Sequence, residues 1–117
     1  MKKTVPLKKN YEFVRIYKKG RFYAGRFIVL YVLKNNCGVN RLGIAISRKV
    51  GKSVRRNRIR RLVRESYRFY EEFLKEGLDI VFSARSTENL PDYSQISREM
   101  KFLLKKLEVL DMEKWNV

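Results

Sequence analysis

The sequence predicts an α+β domain built from a four-stranded mixed sheet and three helices. Short runs rich in β-branched and aromatic residues alternate with amphipathic segments of helical period. A strand, a long helix and another strand follow one another across residues 42–84, which is typical of a crossover between two parallel strands. A hydrophobic content of 44% in 117 residues is sufficient for one buried core. We therefore expect one domain over residues 1–117, in the order helix, strand, strand, strand, helix, strand, helix.

The first predicted helix follows a basic N-terminal tail and lies within "LKKNYEFVRIYKKG". Asn10 is a suitable N-cap residue, and Gly20 is placed to end the helix. Phe13, Ile16 and Tyr17 fall on one face at helical spacing. We expect this face to pack on the sheet.

Two strands are predicted at residues 26–34, "RFIVLYVLK", and 41–47, "RLGIAIS", with "RFYAG" forming or extending a strand just before them. The residues between them, "NNCGVN", favour a turn, so we expect the two strands to pair antiparallel. Both faces of residues 26–34 are apolar. Helices are therefore expected to cover one face, and another element must cover the second.

The long helix has apolar residues at positions i, i+3, i+4 and i+7 over more than four turns, and Gly77 is placed to end it. The apolar positions are Ile59, Leu62, Val63, Ser66, Tyr70, Phe73 and Leu74. A polar stripe opposite them contains Asn57, Arg60, Arg61, Arg64 and Arg68. The helix should be about 22 residues, or roughly 33 Å, long. A strand at 78–84 and a final amphipathic helix over 92–107 follow.

The positive charge is concentrated in one half of the chain. The formal net charge is +16, and the segment from Phe13 to Arg64 contains 16 Lys or Arg residues and no Asp or Glu. A solvated, solubilising surface usually interleaves acidic with basic residues, and this segment does not. Such a field attracts polyanions, which favours a nucleic-acid partner over a membrane surface. The backbone amides where the long helix begins, after "GKS" at 51–53, also suit a phosphate.

The residue types argue against chemistry on the protein itself. The chain has no histidine and one cysteine, Cys37, which cannot form an intramolecular disulfide and indicates a reducing cytoplasm. The acidic residues are scattered, so we expect neither a catalytic group nor a metal site. The apolar run at 27–33 is too short to span a membrane, and no Walker loop or dinucleotide fingerprint occurs. We expect no membrane partner and no small-molecule substrate.

Three aromatic residues raise a second question. Phe13 and Tyr17 on the first helix and Tyr31 on a strand could line one groove in which unpaired bases stack. Their spacing is equally that of ordinary core residues, which is the commoner case. Both interpretations stay open on spacing alone.

The segment "RLGIAISRKVGKSVRRNRIRRLVRESYR" (41–68) is similar to the signature of the bacterial ribonuclease P protein subunit. The family's hallmark is an Arg-Asn-Arg core, here Arg56-Asn57-Arg58. "LKKNYEFVRIYKKG" and "RFIVLYVL" also resemble that family's first helix and first strand, so the likeness covers most of residues 7–85. Tyr17 stands where the family commonly has phenylalanine, and Ser53 where it commonly has alanine.

The resemblance implies a small basic protein that joins a large catalytic RNA to remove the 5′ leader of precursor tRNA. The RNA subunit would carry the active site and its Mg²⁺, and the protein alone would hold no cofactor. The implied RNA-subunit contacts are Arg48, Lys49, Lys52, Arg55, Arg56, Asn57, Arg58, Arg60, Arg61, Arg64 and Arg68. The implied leader-binding residues, in a groove between the first helix and the sheet, are Phe13, Tyr17, Tyr31 and Ser47. The family also implies a left-handed crossover around the Arg-Asn-Arg helix.

Two other classes are compatible with the charge pattern: a stand-alone structural RNA-binding protein of the ribosomal kind, and a DNA-binding regulator. A regulator usually places a short helix before its recognition helix, where this chain has the strand "LGIAIS". Because Arg60 and Arg64 lie on the polar stripe, we expect alanine at both positions to weaken RNA binding and to leave the melting temperature nearly unchanged.

Overall fold

The structure, a computed structural model, describes residues 3–116 and has an α+β fold with a mixed sheet, as predicted. Its strands are β1 (Thr4–Pro6), β2 (Arg21–Ala24), β3 (Ile28–Lys34), β4 (Asn40–Ala45) and β5 (Leu78–Ala84). Its helices are α1 (Asn10–Lys19), α2 (Ser53–Tyr70), α3 (Tyr93–Lys106) and the short α4 (Met112–Trp115). Turns of 3₁₀-helix lie at Arg48–Val50 and Glu71–Phe73. No helix within the described residues is long and apolar enough to cross a membrane.

The five strands form one sheet in the order β1-β4-β5-β3-β2. Strand β5 is parallel to β4 and antiparallel to β3, so β4, α2 and β5 form the predicted crossover. The predicted antiparallel pairing of residues 26–34 with 41–47 is wrong, because β5 lies between these two strands. The first five residues of β5 are buried, which suits the central position in the sheet.

The sheet has five strands where four were predicted, because part of the predicted basic tail forms an edge strand. Strand β1 pairs parallel with β4, and Thr4 lies opposite Asn40. The Thr4 hydroxyl also shares a hydrogen bond of 2.8 Å with the hydroxyl of Tyr67 on α2. A three-residue strand that ends in proline carries little strand signal in its sequence. Residues 1 and 2 of the predicted tail lie outside the described residues.

Helix α1 begins at Asn10, so the N-cap residue is Lys9 and the prediction of Asn10 as the cap is wrong. The backbone N–H of Lys9 donates to Glu12 Oε1 at 3.3 Å, which satisfies one free amide at this end. Gly20 follows the last helical residue, as predicted, but its φ of −77° is one that any residue adopts. A Cβ atom at Gly20 would lie 2.6 Å from the Ile16 carbonyl oxygen. Lack of space therefore requires glycine at this position.

Helix α2 has 18 residues, or about 27 Å at 1.5 Å per residue, so it is shorter than predicted. The chain passes through a 3₁₀ turn after Tyr70 and reaches Gly77, whose φ of 76° is left-handed, just before β5. The predicted apolar stripe is buried except for Phe73, which is partly exposed. Tyr67 is fully buried although it was not part of the predicted stripe.

The sheet is covered differently on its two faces. Helices α2 and α3 pack on one face over the main core, which includes Leu30, Ile80 and Phe82. Helix α1 packs on the other face over a smaller cluster of Leu7, Ile16 and Val81. Because one ten-residue helix cannot cover a five-stranded sheet, part of this second face is left open.

Helix α3 is fixed to the turn between β2 and β3 by one carboxylate. Glu99 accepts hydrogen bonds from the backbone N–H groups of Arg26, Phe27 and Ile28, at 2.6, 2.8 and 2.8 Å. The carboxylate occupies the space where a side chain at Gly25 would begin. The turn that positions β2 beside β3 is thus held by the opposite layer.

Candidate nucleic-acid interface

Helix α2 and the turn before it present a row of polar and positively charged side chains to solvent. We call this row the arginine surface; its exposed members are Arg48, Lys49, Lys52, Asn57, Arg58, Arg61, Arg64 and Arg68. Among residues 3–116, both salt bridges are made by Arg41, so none neutralises this surface. The cations of the arginine surface are therefore available to an anionic partner.

Three other predicted RNA-binding residues, Arg55, Arg56 and Arg60, are partly buried. Arg60 Nη1 donates to the Ile44 carbonyl oxygen at 3.1 Å, which ties α2 to β4. Arg55 Nη2 donates to the Thr87 carbonyl oxygen at 2.7 Å, in the segment after β5. The sequence placed Arg60 on the polar stripe opposite the apolar face, and the structure shows it partly buried because its guanidinium reaches back to the sheet.

The N-terminus of α2 is electrostatically unsatisfied within the chain. No acidic residue lies in its first turn, and Lys52, the N-cap residue, provides no side-chain acceptor for the free amides. Positive charges at the positive end of a helix dipole are unfavourable, whereas an anion there is favourable. The helix start is therefore suited to a phosphate group.

The preceding turn is capped by Ser47, whose Oγ accepts a hydrogen bond from the Lys49 backbone N–H at 3.1 Å. Ser47 is exposed and lies two residues beyond the last residue of β4. It therefore lies between the sheet and the arginine surface.

The three aromatic residues singled out from the sequence come together on the sheet face that carries α1. The ring centroids of Phe13 and Tyr17 are 6.5 Å apart, and those of Tyr17 and Tyr31 are 4.8 Å apart in an edge-on arrangement. Tyr17 is 39% exposed, whereas Phe13 and Tyr31 are partly buried. Burial raises the pKa of Tyr17, and the neighbouring Tyr31 raises it further, so its hydroxyl stays protonated at neutral pH. The group combines core packing with an accessible edge.

A strip of short side chains crosses the sheet beside these rings. Register places Ala45, Ser83, Val29 and Ala24 side by side across β4, β5, β3 and β2. All four are partly or fully exposed. Two residues further along β3 and β5, Tyr31 and Val81 pack in the cluster that includes Ile16 of α1. We call this open strip the groove; it leads from Ser47, beside the arginine surface, to the edge strand β2.

Phe22 is a candidate interface residue that sequence patterns alone did not indicate. It lies opposite Tyr31 in the pairing of β2 with β3. The two rings stack with centroids 5.6 Å apart and an angle of 28° between their planes. The available signal was strand alternation in "RFYAG", but the register of that strand was not assigned from sequence.

Arg41 belongs to the basic segment but not to the interface. Its Nε and Nη2 donate to the two carboxylate oxygens of Asp79, each at 2.7 Å, and Nη1 donates to Glu12 on α1. Burial pushes the pKa of Asp79 upward, but hydrogen bonds from Arg41 and Asn35 and nearby positive charge outweigh burial, so the pKa is lowered. The hydrogen bonds that Arg41 donates to Asp79 also raise the pKa of Arg41. This network holds α1 on the sheet and so fixes one wall of the groove.

Comparison with known proteins decides the family. The family model described as Ribonuclease P matches residues 1–108. The chain belongs to the ribonuclease P protein family. It is 50% identical over 101 residues to the ribonuclease P protein component of Clostridium botulinum (strain Langeland), covering 86% of this chain and 91% of that relative. It is 43% identical over 105 residues to that of Thermoanaerobacter sp. (strain X514), covering 90% of each.

Solved structures of the ribonuclease P family have the same fold. The Staphylococcus aureus RNase P protein superimposes with a TM-score of 0.82 at 36% identity, over 90% of this chain and 96% of that one. The Thermotoga maritima RNase P protein gives 0.77 at 32% identity, over 86% and 96%. This chain is accordingly a protein component of ribonuclease P, the ribonucleoprotein endoribonuclease of tRNA processing, and its partner is a ribonuclease P RNA.

Proposed function

We propose that the arginine surface binds the ribonuclease P RNA and that the groove binds the single-stranded 5′ leader of precursor tRNA. The RNA subunit, with its Mg²⁺, then cleaves the leader. The observation that carries this proposal is the adjacency of two different surfaces: exposed cations without carboxylate partners on α2, and an open aromatic groove that ends beside them. The chemistry of each surface suits a different part of an RNA.

The arginine surface suits the backbone of a folded RNA. Arginine donates forked hydrogen bonds that match phosphate oxygens, and its charge is independent of pH in the physiological range. The free amides at the start of α2, beside Lys52, add further donors for a phosphate. These contacts read phosphates and position the protein without requiring a particular base sequence.

The groove suits a single strand. Bases that are not paired can stack on aromatic rings, each contributing about 1–3 kcal/mol, without regard to sequence. The small side chains of the groove leave room for an RNA backbone beside the rings of Tyr17 and Tyr31. A leader that enters near Ser47 has its phosphates close to Arg48 and Lys49.

In this proposal the protein binds and orients and contributes no group to the cleavage step. Within residues 3–116, no three His, Cys, Asp or Glu side chains lie close enough together to hold a metal ion. These residues do not fit a divalent-ion site, so no step is assigned to a metal on the protein. As a component of this RNA enzyme, the protein is expected to act in the cytoplasm.

The test measures how affinity for precursor tRNA depends on leader length, using the holoenzyme reconstituted from the full-length protein and its RNA subunit. We expect affinity to increase as the leader grows from none to about eight nucleotides, and Tyr17→Ala to remove part of this gain. Tyr11→Ala is the matched control, because Tyr11 is an exposed tyrosine of α1 whose ring lies near Lys9. An affinity independent of the leader would overturn the groove assignment and favour a purely structural RNA-binding role.

A further inference from the structure

Phe22 is a large apolar side chain that the core does not use. It is 61% exposed, although it lies in a regular strand next to a well-packed face. Its strand neighbour Tyr23 points to the opposite face and contacts Phe102 of α3. Packing therefore explains Tyr23, whereas one side of the Phe22 ring faces solvent.

The exposed ring continues the aromatic row of the groove. The other face of Phe22 lies against Tyr31, which in turn contacts Tyr17. Strand β2 is the last strand of the sheet on this side, so Phe22 is the final ring that a strand of RNA meets as it crosses the sheet from β4. Adjacent strands are about 4.8 Å apart and the centroids of the Tyr31 and Phe22 rings are 5.6 Å apart, so the step between the two rings is about one nucleotide of an extended strand.

Positive charge lies where the groove ends. Arg85 Nη1 donates to the Gly25 carbonyl oxygen at 2.7 Å, which holds its guanidinium at the turn after β2. Gly25 follows Ala24, the last small residue of the groove. No salt bridge to Arg85 occurs in the part of the chain that the structure describes. A phosphate that passes the turn after β2 therefore meets a cation at that end of the strand.

We propose that Phe22 is a further leader-binding residue, which stacks on the base one nucleotide beyond the base at Tyr31. This inference rests on the proposed function of the groove and adds to it an outer base position on β2. A phenylalanine ring offers no hydrogen bond, so the position discriminates by the size of the base and favours purines. It lengthens the part of the leader that the protein can bind.

The test is a double-mutant cycle on the reconstituted holoenzyme. Single abasic sites are placed along the leader of a precursor tRNA, and the affinity of each substrate is measured with holoenzymes that contain the wild-type protein, Phe22→Ala, Phe22→Leu or Tyr31→Ala. We expect Phe22→Ala to lower affinity about fivefold or more for intact leaders that reach β2. At one leader position, an abasic site should abolish the difference in affinity between the wild type and Phe22→Ala. We expect that position to lie one nucleotide further from the cleavage site than the position at which an abasic site abolishes the effect of Tyr31→Ala.

Two control variants separate stacking on the Phe22 ring from a general loss of apolar surface. Phe102→Ala removes an exposed ring from the opposite face of the sheet and should leave leader affinity unchanged. Phe22→Leu keeps apolar area without a ring and should behave like Phe22→Ala. Because Phe22 is exposed, both of its variants should melt near the wild-type temperature.

The possible failures are distinguishable. If leader length matters in the wild type but Phe22→Ala binds every leader equally well, the role of Phe22 is overturned and the groove assignment stands. If Phe22→Leu binds as the wild type does, stacking is overturned. If Phe22→Ala instead dissociates a dimer of the protein in sedimentation and leaves leader affinity unchanged, the exposed ring pairs two copies through β2. If leader length has no effect in the wild type, the groove and the inference fail together.

Discussion

The arginines of α2 divide into two groups according to what each guanidinium touches. Arg55 and Arg60 donate to backbone carbonyl oxygens in other elements, and both are partly buried. Arg61 and Arg64 are exposed and have no carboxylate partner among residues 3–116. Identical side chains a few positions apart thus stabilise the fold in one case and remain available to a partner in the other.

This division changes the outcome expected for alanine substitutions. Arg60→Ala removes a charge-assisted hydrogen bond to Ile44, which should lower the free energy of unfolding by about 1–2 kcal/mol and the melting temperature by several degrees. Arg64→Ala should leave the melting temperature within about 1 °C and weaken binding to the RNA subunit. Thermal unfolding followed by circular dichroism, with RNA binding measured on the same samples, tests both. Equal melting temperatures for the two variants would contradict the assignment of Arg60.

At the scale of elements, local signals predicted α1, α2, α3 and the central strands, because each has a clear period or a run of strand-forming residues. The order of strands was not predictable from the same signals. The turn-like residues 35–40 suggested a hairpin, but the apolar strand β5 occupies the space between β3 and β4. Strand β1 depends on pairing with β4, far along the chain, and its three residues give no alternation. Both the strand order and the existence of β1 therefore depend on pairing between residues far apart in the sequence.

The candidate interface, like the fold, could be predicted only in part from local sequence patterns. Helical spacing put Phe13 and Tyr17 on one face, and only the family resemblance favoured a leader-binding groove over ordinary core packing. The sequence did not indicate Phe22, because its position beside Tyr31 depends on the register of β2 against β3. Arg41 looked like part of the basic surface, and only the fold reveals Asp79 and Glu12 beside it.

The network around Arg41 makes the attachment of α1 sensitive to acid. The carboxylate of Asp79 is 1% exposed and its pKa is lowered, so it stabilises the fold fully above the unfolded value of about 3.9. That contribution is lost as the pH falls through the folded pKa. We expect Asp79→Asn to be roughly 3 kcal/mol less stable than the wild type at pH 7, with a gap that narrows below about pH 4. Urea unfolding across this pH range measures the gap, and a constant gap would contradict the charge-based explanation.

The packing of α1 on the sheet depends on Gly43. A Cβ atom there would lie 2.5 Å from Cε1 of Phe13 and 3.2 Å from Cδ1 of Leu7. Gly43→Ala should therefore displace the Phe13 ring, cost about 1–3 kcal/mol of stability and weaken leader binding. In a Phe13→Leu background the same substitution should cost clearly less, because the shorter side chain can move. Additive effects of the two substitutions in urea unfolding would show that the ring is not the obstacle.

On the scale of the whole molecule, the excess positive charge behind the net charge of +16 comes from one segment of the chain, residues 13–64, which contains no Asp or Glu. Part of the basic segment is neutralised internally, since Arg41 lies against two carboxylates. The cations of the arginine surface repel one another along α2. The same charges that favour RNA binding therefore lower the stability of the protein alone.

Salt should consequently raise the stability of the isolated protein and lower its affinity for the RNA subunit. Raising NaCl from about 20 mM to about 300 mM screens the repulsion, so the melting temperature of the isolated protein should rise. Over the same range, affinity for the RNA subunit should fall, with a log–log slope of about −0.7 to −0.9 for each phosphate contact. Arg61→Ala and Arg64→Ala should each make the slope shallower by about one contact, whereas Phe22→Ala should leave it unchanged because stacking releases no counterions. An unchanged slope in both arginine variants would mean that the RNA lies elsewhere, since a phosphate cannot contact these guanidinium groups without releasing ions.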